Sequence, residues 1–246
     1  MNVVYEPKGR AGEYSELACN LYIGCSHGCG YCYAPACMRK TAKDYLQARP
    51  RKDVIQLLEK DAQKLQGDTR QILFSFISDP YQPIERKYRL TRQALEIMGR
   101  YHLRHKVLTK GAYDLVSEDF DLMMLSGTQL GVSLIYTDDS LRKAWEPNAS
   151  SVEERLKILK EAHKLGILTW VSVEPVIYPK QALELIEVAH EYVDFWAISK
   201  LNYDIARENS VHWAVFLDRV ISVLKHFNCV YYIKKDLRKF GSIRYV

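Results

Sequence analysis

Apolar residues along this chain gather in short runs that alternate with stretches of helical spacing. Runs at 17–23, 72–77, 107–109, 129–135, 167–173, 193–199 and 229–233 predict strands. The run ILFSFI at 72–77 is nearly unbroken, the mark of a strand buried on both faces. Between the runs, apolar positions recur every three or four residues. Val54, Ile55, Leu57, Leu58, Ala62 and Leu65 predict a helix over 53–66, ended by Gly67-Asp68. Val152, Leu156, Leu159, Ala162 and Leu165 predict another over 151–165, with Ser150/Ser151 and Glu153/Glu154 as a capping signal and Gly166 as the stop. Further helices are expected at 90–100, opened by Thr91 or a neighbour, and at 118–125, 180–190 and 211–227. Residues 1–16, with Pro7, Gly9 and Gly12 among charges, predict an extended arm; 34–51, with Pro35 and Pro50, predict an irregular cover.

Strand and helix alternate from end to end, which predicts the α/β class: a parallel sheet with right-handed crossovers. About six or seven units fit an open, partial (β/α)6-7 barrel better than a closed eight-fold one. The expected organisation is a single domain over 1–246: an arm (1–16), a core (17–200) and a C-terminal helix–strand extension (201–246).

Composition narrows the class. At 246 residues with 48% hydrophobic and 26% charged residues, the chain is that of a soluble globular protein. It has no run of about 18 apolar residues. Its first ten residues are polar, with no apolar leader core, which predicts a cytoplasmic protein with no membrane partner. Six cysteines in such a chain argue for thiols and a metal site rather than disulfides. The net charge of +5 permits a phosphate-bearing partner without requiring one.

Candidate chemistry concentrates in residues 24–33, GCSHGCGYCY, where Cys25, Cys29 and Cys32 have C-x3-C-x2-C spacing. Gly24, Gly28 and Gly30 let this backbone curl. Three nearby thiolates suit zinc or an iron–sulfur cluster. Structural zinc normally takes four Cys or His ligands. His27 is too close in sequence to be an obvious fourth, and no other C-x2-C or H-x3-H pair occurs. In a four-iron cubane, three thiolates leave one iron open for chemistry. The ends of the other apolar runs are polar: Ser78-Asp79, Lys110-Gly111, Ser133, Glu174-Pro175, Lys200 and Lys234-Lys235. In a parallel α/β sheet such ends share one mouth.

The cysteine spacing with Tyr31 before the last cysteine resembles the cluster loop of the radical S-adenosylmethionine (SAM) superfamily. SDPYQPIE (78–85), LTKG (108–111), GVSL (131–134) and WEPNASSVEERLKILKEAHKLGI (145–167) resemble its spore photoproduct lyase and photolyase-like branch, over roughly residues 17–178. The resemblance implies a 4Fe-4S cluster on Cys25, Cys29 and Cys32, SAM on the open iron, and a 5′-deoxyadenosyl radical that takes hydrogen from a substrate. It implies Tyr31 and Tyr33 beside adenine or substrate, Ser78 and Asp79 at the amino-acid end of SAM, Lys110 facing the SAM carboxylate, and Ser133 near the ribose. An electron donor such as a flavodoxin or ferredoxin is implied as a partner. The lyase cysteine that returns hydrogen to product aligns with Phe76, so thymine-dimer repair is not implied. Cys37 is the remaining cysteine nearest the loop and Glu174 a carboxylate ending a strand; both are candidate catalytic groups.

Basic residues gather at Arg49/Arg51/Lys52, Arg86/Lys87/Arg89/Arg92, Arg100/Arg104/Lys106 and Lys234/Lys235/Arg238/Lys239, the last beside Tyr231 and Tyr232. With the photolyase-like resemblance they favour a nucleic acid or nucleotide substrate. A peptide or small metabolite is the alternative. An iron–sulfur sensor that leaves SAM intact is a third reading.

Overall fold

The structure, a computed structural model, describes residues 2–241. Ten strands are named here in chain order: β1 Val4–Tyr5, β2 Leu17–Cys19, β3 Tyr22–Ile23, β4 Arg49–Pro50, β5 Ile72–Phe74, β6 His105–Thr109, β7 Gln129–Ser133, β8 Thr169–Val176, β9 Phe195–Lys200 and β10 Tyr231–Ile233. Eight form one sheet in the order β1-β2-β5-β6-β7-β8-β9-β10. All its pairings are parallel except β1 with β2, and β3 pairs with β4 in a separate ribbon. Seven parallel strands joined by helices make the partial barrel that the alternation predicts.

The helices keep their predicted spacing. Val54–Lys64, Leu90–Arg100, Val152–Lys164, Pro179–Ala189 and Trp213–His226 each bury one apolar face on the sheet. Ser151 and Glu154 form the capping box. Thr91 is not the cap of its helix. The Glu85 carboxylate accepts the Leu90 and Thr91 N–H groups at 3.2 and 2.7 Å, and Thr91 Oγ1 donates to the Pro80 carbonyl. No described helix is long and apolar enough to cross a membrane.

Three expectations change. The run 17–23 is two strands in different sheets, because Asn20 intervenes. Its buried Oδ1 accepts the Phe76 and Ile77 N–H groups, both at 3.0 Å, and its Nδ2 donates to Tyr5 Oη at 2.7 Å. The same bonds end β5 at Phe74, short of the apolar run that contains it. Second, the helix expected at 118–125 is present as Phe120–Ser126, and a further short helix that was not expected, Tyr113–Ser117, precedes it. Third, the N-terminal residues are not a free arm. β1 is an edge strand, and Gly9–Glu13 is a 3-10 turn that reaches the opposite edge. Glu13 accepts from Tyr232 Oη at 3.0 Å and the Lys235 N–H at 2.9 Å, and Arg10 lies 3.7 Å from Asp236. The sheet is therefore curled enough for one short segment to bridge its two edges.

Candidate functional site

The 24–33 loop leaves β3 and is held along its length. The Cys25 N–H donates to the Tyr45 carbonyl and the Gly30 N–H to the Trp145 carbonyl, each at 2.8 Å. Gly24 has φ +82°, and a Cβ there would stand 2.8 Å from the carbonyl oxygens of Tyr45 and Gln47, so the position requires glycine. Gln82 donates to the Gly24 carbonyl and accepts the Ser26 N–H.

His27 is engaged elsewhere. Its Nε2 lies 3.1 Å from Asp79 Oδ2 and its Nδ1 3.2 Å from the Asn148 carbonyl. Asp79 in turn accepts from Thr109 Oγ1 at 2.6 Å and from the N–H groups of Tyr81 and Lys110 at 2.8 and 2.6 Å. Burial opposes its charge, but His27 and these donors hold its pKa at about 2. Asp79 thus ties the loop to the ends of β5 and β6.

Cys25, Cys29 and Cys32 face one another closely enough that each thiolate charge would disfavour the others. Burial is the larger influence. It pushes the Cys29 thiol up to about 12 and raises Cys25 and Cys32 as well. Among the described residues no three His, Cys, Asp or Glu side chains close around a point that would hold a single ion. A cubane asks for less convergence, since each thiolate takes its own iron. Three thiols on a glycine-braced loop, with the nearby histidine occupied, fit that group better than tetrahedral zinc.

Beside Cys29 lies a buried charge cluster. Glu146 and Arg155 are fully buried and 2.5 Å apart. Tyr31 Oη donates to Glu146, and Arg155 Nη1 donates to the Ser133 carbonyl at 3.0 Å. Burial works against the Glu146 charge, but Arg155, Lys110 and Tyr31 outweigh it and lower its pKa. The Lys110 ammonium sits 5.7 Å over the Tyr31 ring. Burial disfavours its charge too, yet Cys29, Glu146 and Asp79 raise its pKa, so it is cationic. No carboxylate among the described residues lies within salt-bridge distance of it. Arg155 Nε and Nη2 are buried with no hydrogen-bond partner among the described residues.

A second group occupies the ends of β8 and β10. Lys234 Nζ contacts Glu174 at 2.8 and 3.2 Å and lies 3.9 Å over the Tyr14 ring. Tyr14 Oη donates to Glu174 and shares a 2.6 Å bond with Ser172 Oγ. Burial, then Glu174, raises its pKa well above the ordinary phenol value. The Tyr14 ring lies 6.0 Å from Phe76 and 5.9 Å from Trp170. Tyr33, 43% exposed, donates to the Phe76 carbonyl at 3.2 Å. Aromatic faces therefore line this side of the mouth.

Of the expected site residues, the structure brings Cys25, Cys29, Cys32, Tyr31, Asp79, Lys110 and Ser133 to one side and Tyr33 and Glu174 to the other. Ser78 is buried, its carbonyl accepting from Ser75 Oγ. Cys37 is exposed at the end of the helix Ala34–Cys37. One of the four basic groups is largely neutralised within the chain, and two others have one paired member each. Arg86, Arg89 and Arg92 pair with Asp114, Glu118, Asp119 and Asp121; Arg100 pairs with Glu59; Lys234 pairs with Glu174. Lys106 lies 5.1 Å over the Trp170 ring, its pKa lowered by burial to about 8. Glu146, Arg155 and Tyr14 were not anticipated. Arg155 had a signal: it follows Val152 by three residues and precedes Leu159 by four, on the apolar stripe of its helix.

A sequence profile of the Radical SAM superfamily matches residues 19–193. An uncharacterized protein of Methanocaldococcus jannaschii is 31% identical over 193 residues, covering 77% of this chain and 71% of its own. A structure of spore photoproduct lyase with bound AdoMet and dinucleoside spore photoproduct superposes with TM-score 0.69 at 18% identity, over 92% of this chain and 78% of that one. Streptococcus suis SuiB bound to S-adenosylmethionine superposes with TM-score 0.67 at 13% identity, over 91% of this chain and 51% of that one. The two structural likenesses concern the fold.

Proposed function

The chain belongs to the radical SAM superfamily, and on that premise we propose that it is an enzyme holding a 4Fe-4S cluster on Cys25, Cys29 and Cys32, with a nucleic-acid base or nucleotide as substrate. When bound with SAM, such a cluster supplies one-electron cleavage of the sulfonium and a 5′-deoxyadenosyl radical that takes a substrate hydrogen. The observation that carries the reading is a three-thiol loop beside Lys110, a half-buried cation with no carboxylate in salt-bridge distance among the described residues.

The chain's own residues divide the work. Lys110 faces the carboxylate of SAM, a charge-assisted contact. Tyr31, fixed by Glu146, holds an aromatic face beside that position. Ser78 and Ser133 line the cofactor side, and Asp79 acts through His27 and the Lys110 N–H to set the loop. Tyr33, Phe76 and Tyr14 offer faces on which a planar base stacks. Glu174, held by Lys234 and Tyr14, is the carboxylate at that end. The base reading draws support from spore photoproduct lyase, whose structure holds a dinucleoside photoproduct. Phe76 carries no thiol to return a hydrogen atom to a product radical, so the lyase's own reaction is not proposed.

The test is anaerobic reconstitution, then reductant and SAM, with 5′-deoxyadenosine measured. Cys29→Ala is expected to lose both iron and cleavage; cleavage retained in that variant defeats the assignment. Deuterium passing from a labelled oligonucleotide into 5′-deoxyadenosine supports the base substrate. Deuterium passing instead from a labelled peptide or metabolite transfers the chemistry to that class.

A further inference from the structure

One strongly basic segment of this protein lies against the cysteine loop. Residues 34–52 hold six basic residues (Arg39, Lys40, Lys43, Arg49, Arg51 and Lys52) and one acidic residue, Asp44, a net +5. The whole chain also nets +5, so the remaining 227 residues balance. Most arginines elsewhere are paired with carboxylates, whereas Arg39, Lys40, Lys43 and Arg49 are exposed and in no salt bridge among the described residues. Arg39, Lys40 and Arg49 line one cleft of about 490 Å³ with Gln47 and a single carboxylate, Asp44. Leu46, 40% exposed, supplies an apolar contact beside it.

This surface is the outer wall of the cysteine loop. Arg49 pairs in register with Ile23, the residue before Gly24. The backbones of Tyr45 and Gln47 pack on Gly24, and Leu46 lies 3.2 Å from where a Gly28 Cβ would stand. The segment thus covers the Gly24–Cys25 end of the loop. The cofactor groups Lys110, Tyr31 and Glu146 gather at the Cys29 end. A partner seated on the segment lies against the cluster loop from its Gly24 side.

We propose that residues 39–49 dock an acidic, low-potential one-electron carrier protein. The inference rests on the cluster reading above. In the step, one electron leaves the carrier, which is oxidised, and enters the cluster, which is reduced; no bond forms and no proton moves. A net-basic rim around an apolar contact suits such a partner, since complementary charge governs encounter and orientation. A nucleic acid on the same surface is the competing occupant, and the mouth position of the aromatic residues argues against it.

The test uses an acidic flavodoxin as probe and reads binding to the cluster-free chain as well as electron delivery to the loaded one. Arg39→Glu/Lys40→Glu/Arg49→Glu is expected to weaken flavodoxin binding about tenfold or more and to flatten its salt dependence. A control with the same charge change elsewhere, Lys60→Glu/Lys64→Glu/Arg104→Glu, is expected to stay within about twofold of the parent. The milder Arg39→Gln/Lys40→Gln is expected to fall between, which guards against a folding defect in the triple variant. With photoreduced deazaflavin, an uncharged small reductant, the docking variant is expected to form 5′-deoxyadenosine at the parent rate. Flavodoxin binding unmoved by the docking variant, or weakened equally by the control, overturns the proposal. So does loss of oligonucleotide binding with flavodoxin binding intact. If the parent makes no 5′-deoxyadenosine even with deazaflavin, the cluster reading fails, while the binding result still decides the docking surface.

Discussion

Arg155 carries two burdens in one side chain: it neutralises Glu146 where no water reaches, and it braces the end of β7 through the Ser133 carbonyl. Removing one member of a buried pair leaves the other charge uncompensated, at about 3–5 kcal/mol. Arg155→Met is therefore expected to lower the denaturation midpoint of the cluster-free protein by that order, and Glu146→Gln/Arg155→Met to recover much of the loss. Lys110 predicts the opposite balance. Its cation touches no carboxylate, and Glu146 keeps Arg155 when it is removed, so Lys110→Ala is expected to cost less stability than Arg155→Met. It should weaken SAM binding to the iron-loaded protein about tenfold or more, with Lys110→Arg between, as a titration at constant iron content would read. The difference marks what was legible. Lys110 ends an apolar run, so its place at the mouth could be inferred. Arg155 lies in a helix, where its inward direction is visible only if a charge on an apolar stripe is taken at face value. Glu146 follows Trp145 with no period to betray its burial, and Tyr14 joins the site through a fold-back that local pattern does not encode.

Elements were legible where their own sequence decides them and illegible where a distant side chain intervenes. The helix Val152–Lys164 carries its cap and its stripe within itself. The division of 17–23 is decided by Asn20 bonding to residues more than fifty positions away. β6 shows how such a contact can be read in solution. His105 begins that strand and is buried, its Nδ1 2.8 Å from the Leu103 carbonyl and its Nε2 2.7 Å from Thr128 Oγ1, which opens β7's approach. Burial lowers its pKa from 6.5 to about 4. Between those values the unfolded chain binds the proton and the folded one does not, so stability rises with pH across the window and is lost as pH falls through it. The shift corresponds to about 3 kcal/mol between pH 7 and pH 4. Denaturant midpoints over that range are expected to fall less steeply in His105→Gln; an unchanged slope would show that other groups dominate acid unfolding.

At the scale of the whole molecule, the question is what keeps an open barrel curled. Seven parallel strands do not close a ring, and β1 and β10 remain as edges. The turn Gly9–Glu13 answers with side chains: Glu13 takes the Tyr232 hydroxyl and the Lys235 N–H, while Tyr14 reaches Glu174, which Lys234 also holds. Residues 13–14 and 232–235 therefore meet at the mouth, and the sequence concealed this because residues 5–16 are polar and lack a period. Glu13 can be tested without touching the site groups. Glu13→Ala removes the acceptor of two bonds in a half-buried setting, expected to cost about 1–2 kcal/mol. For a chain of this size each kcal/mol lowers the melting temperature by about 2–4 °C. A general loss of stability would speed amide exchange everywhere. Loosening of the bridge instead predicts faster exchange at Tyr231–Ile233 with β6 and β7 unchanged, because only β10 is tied to the turn. Equal acceleration across the sheet would mean that the curl is held by strand pairing alone and that the N-terminal residues merely cover its edge.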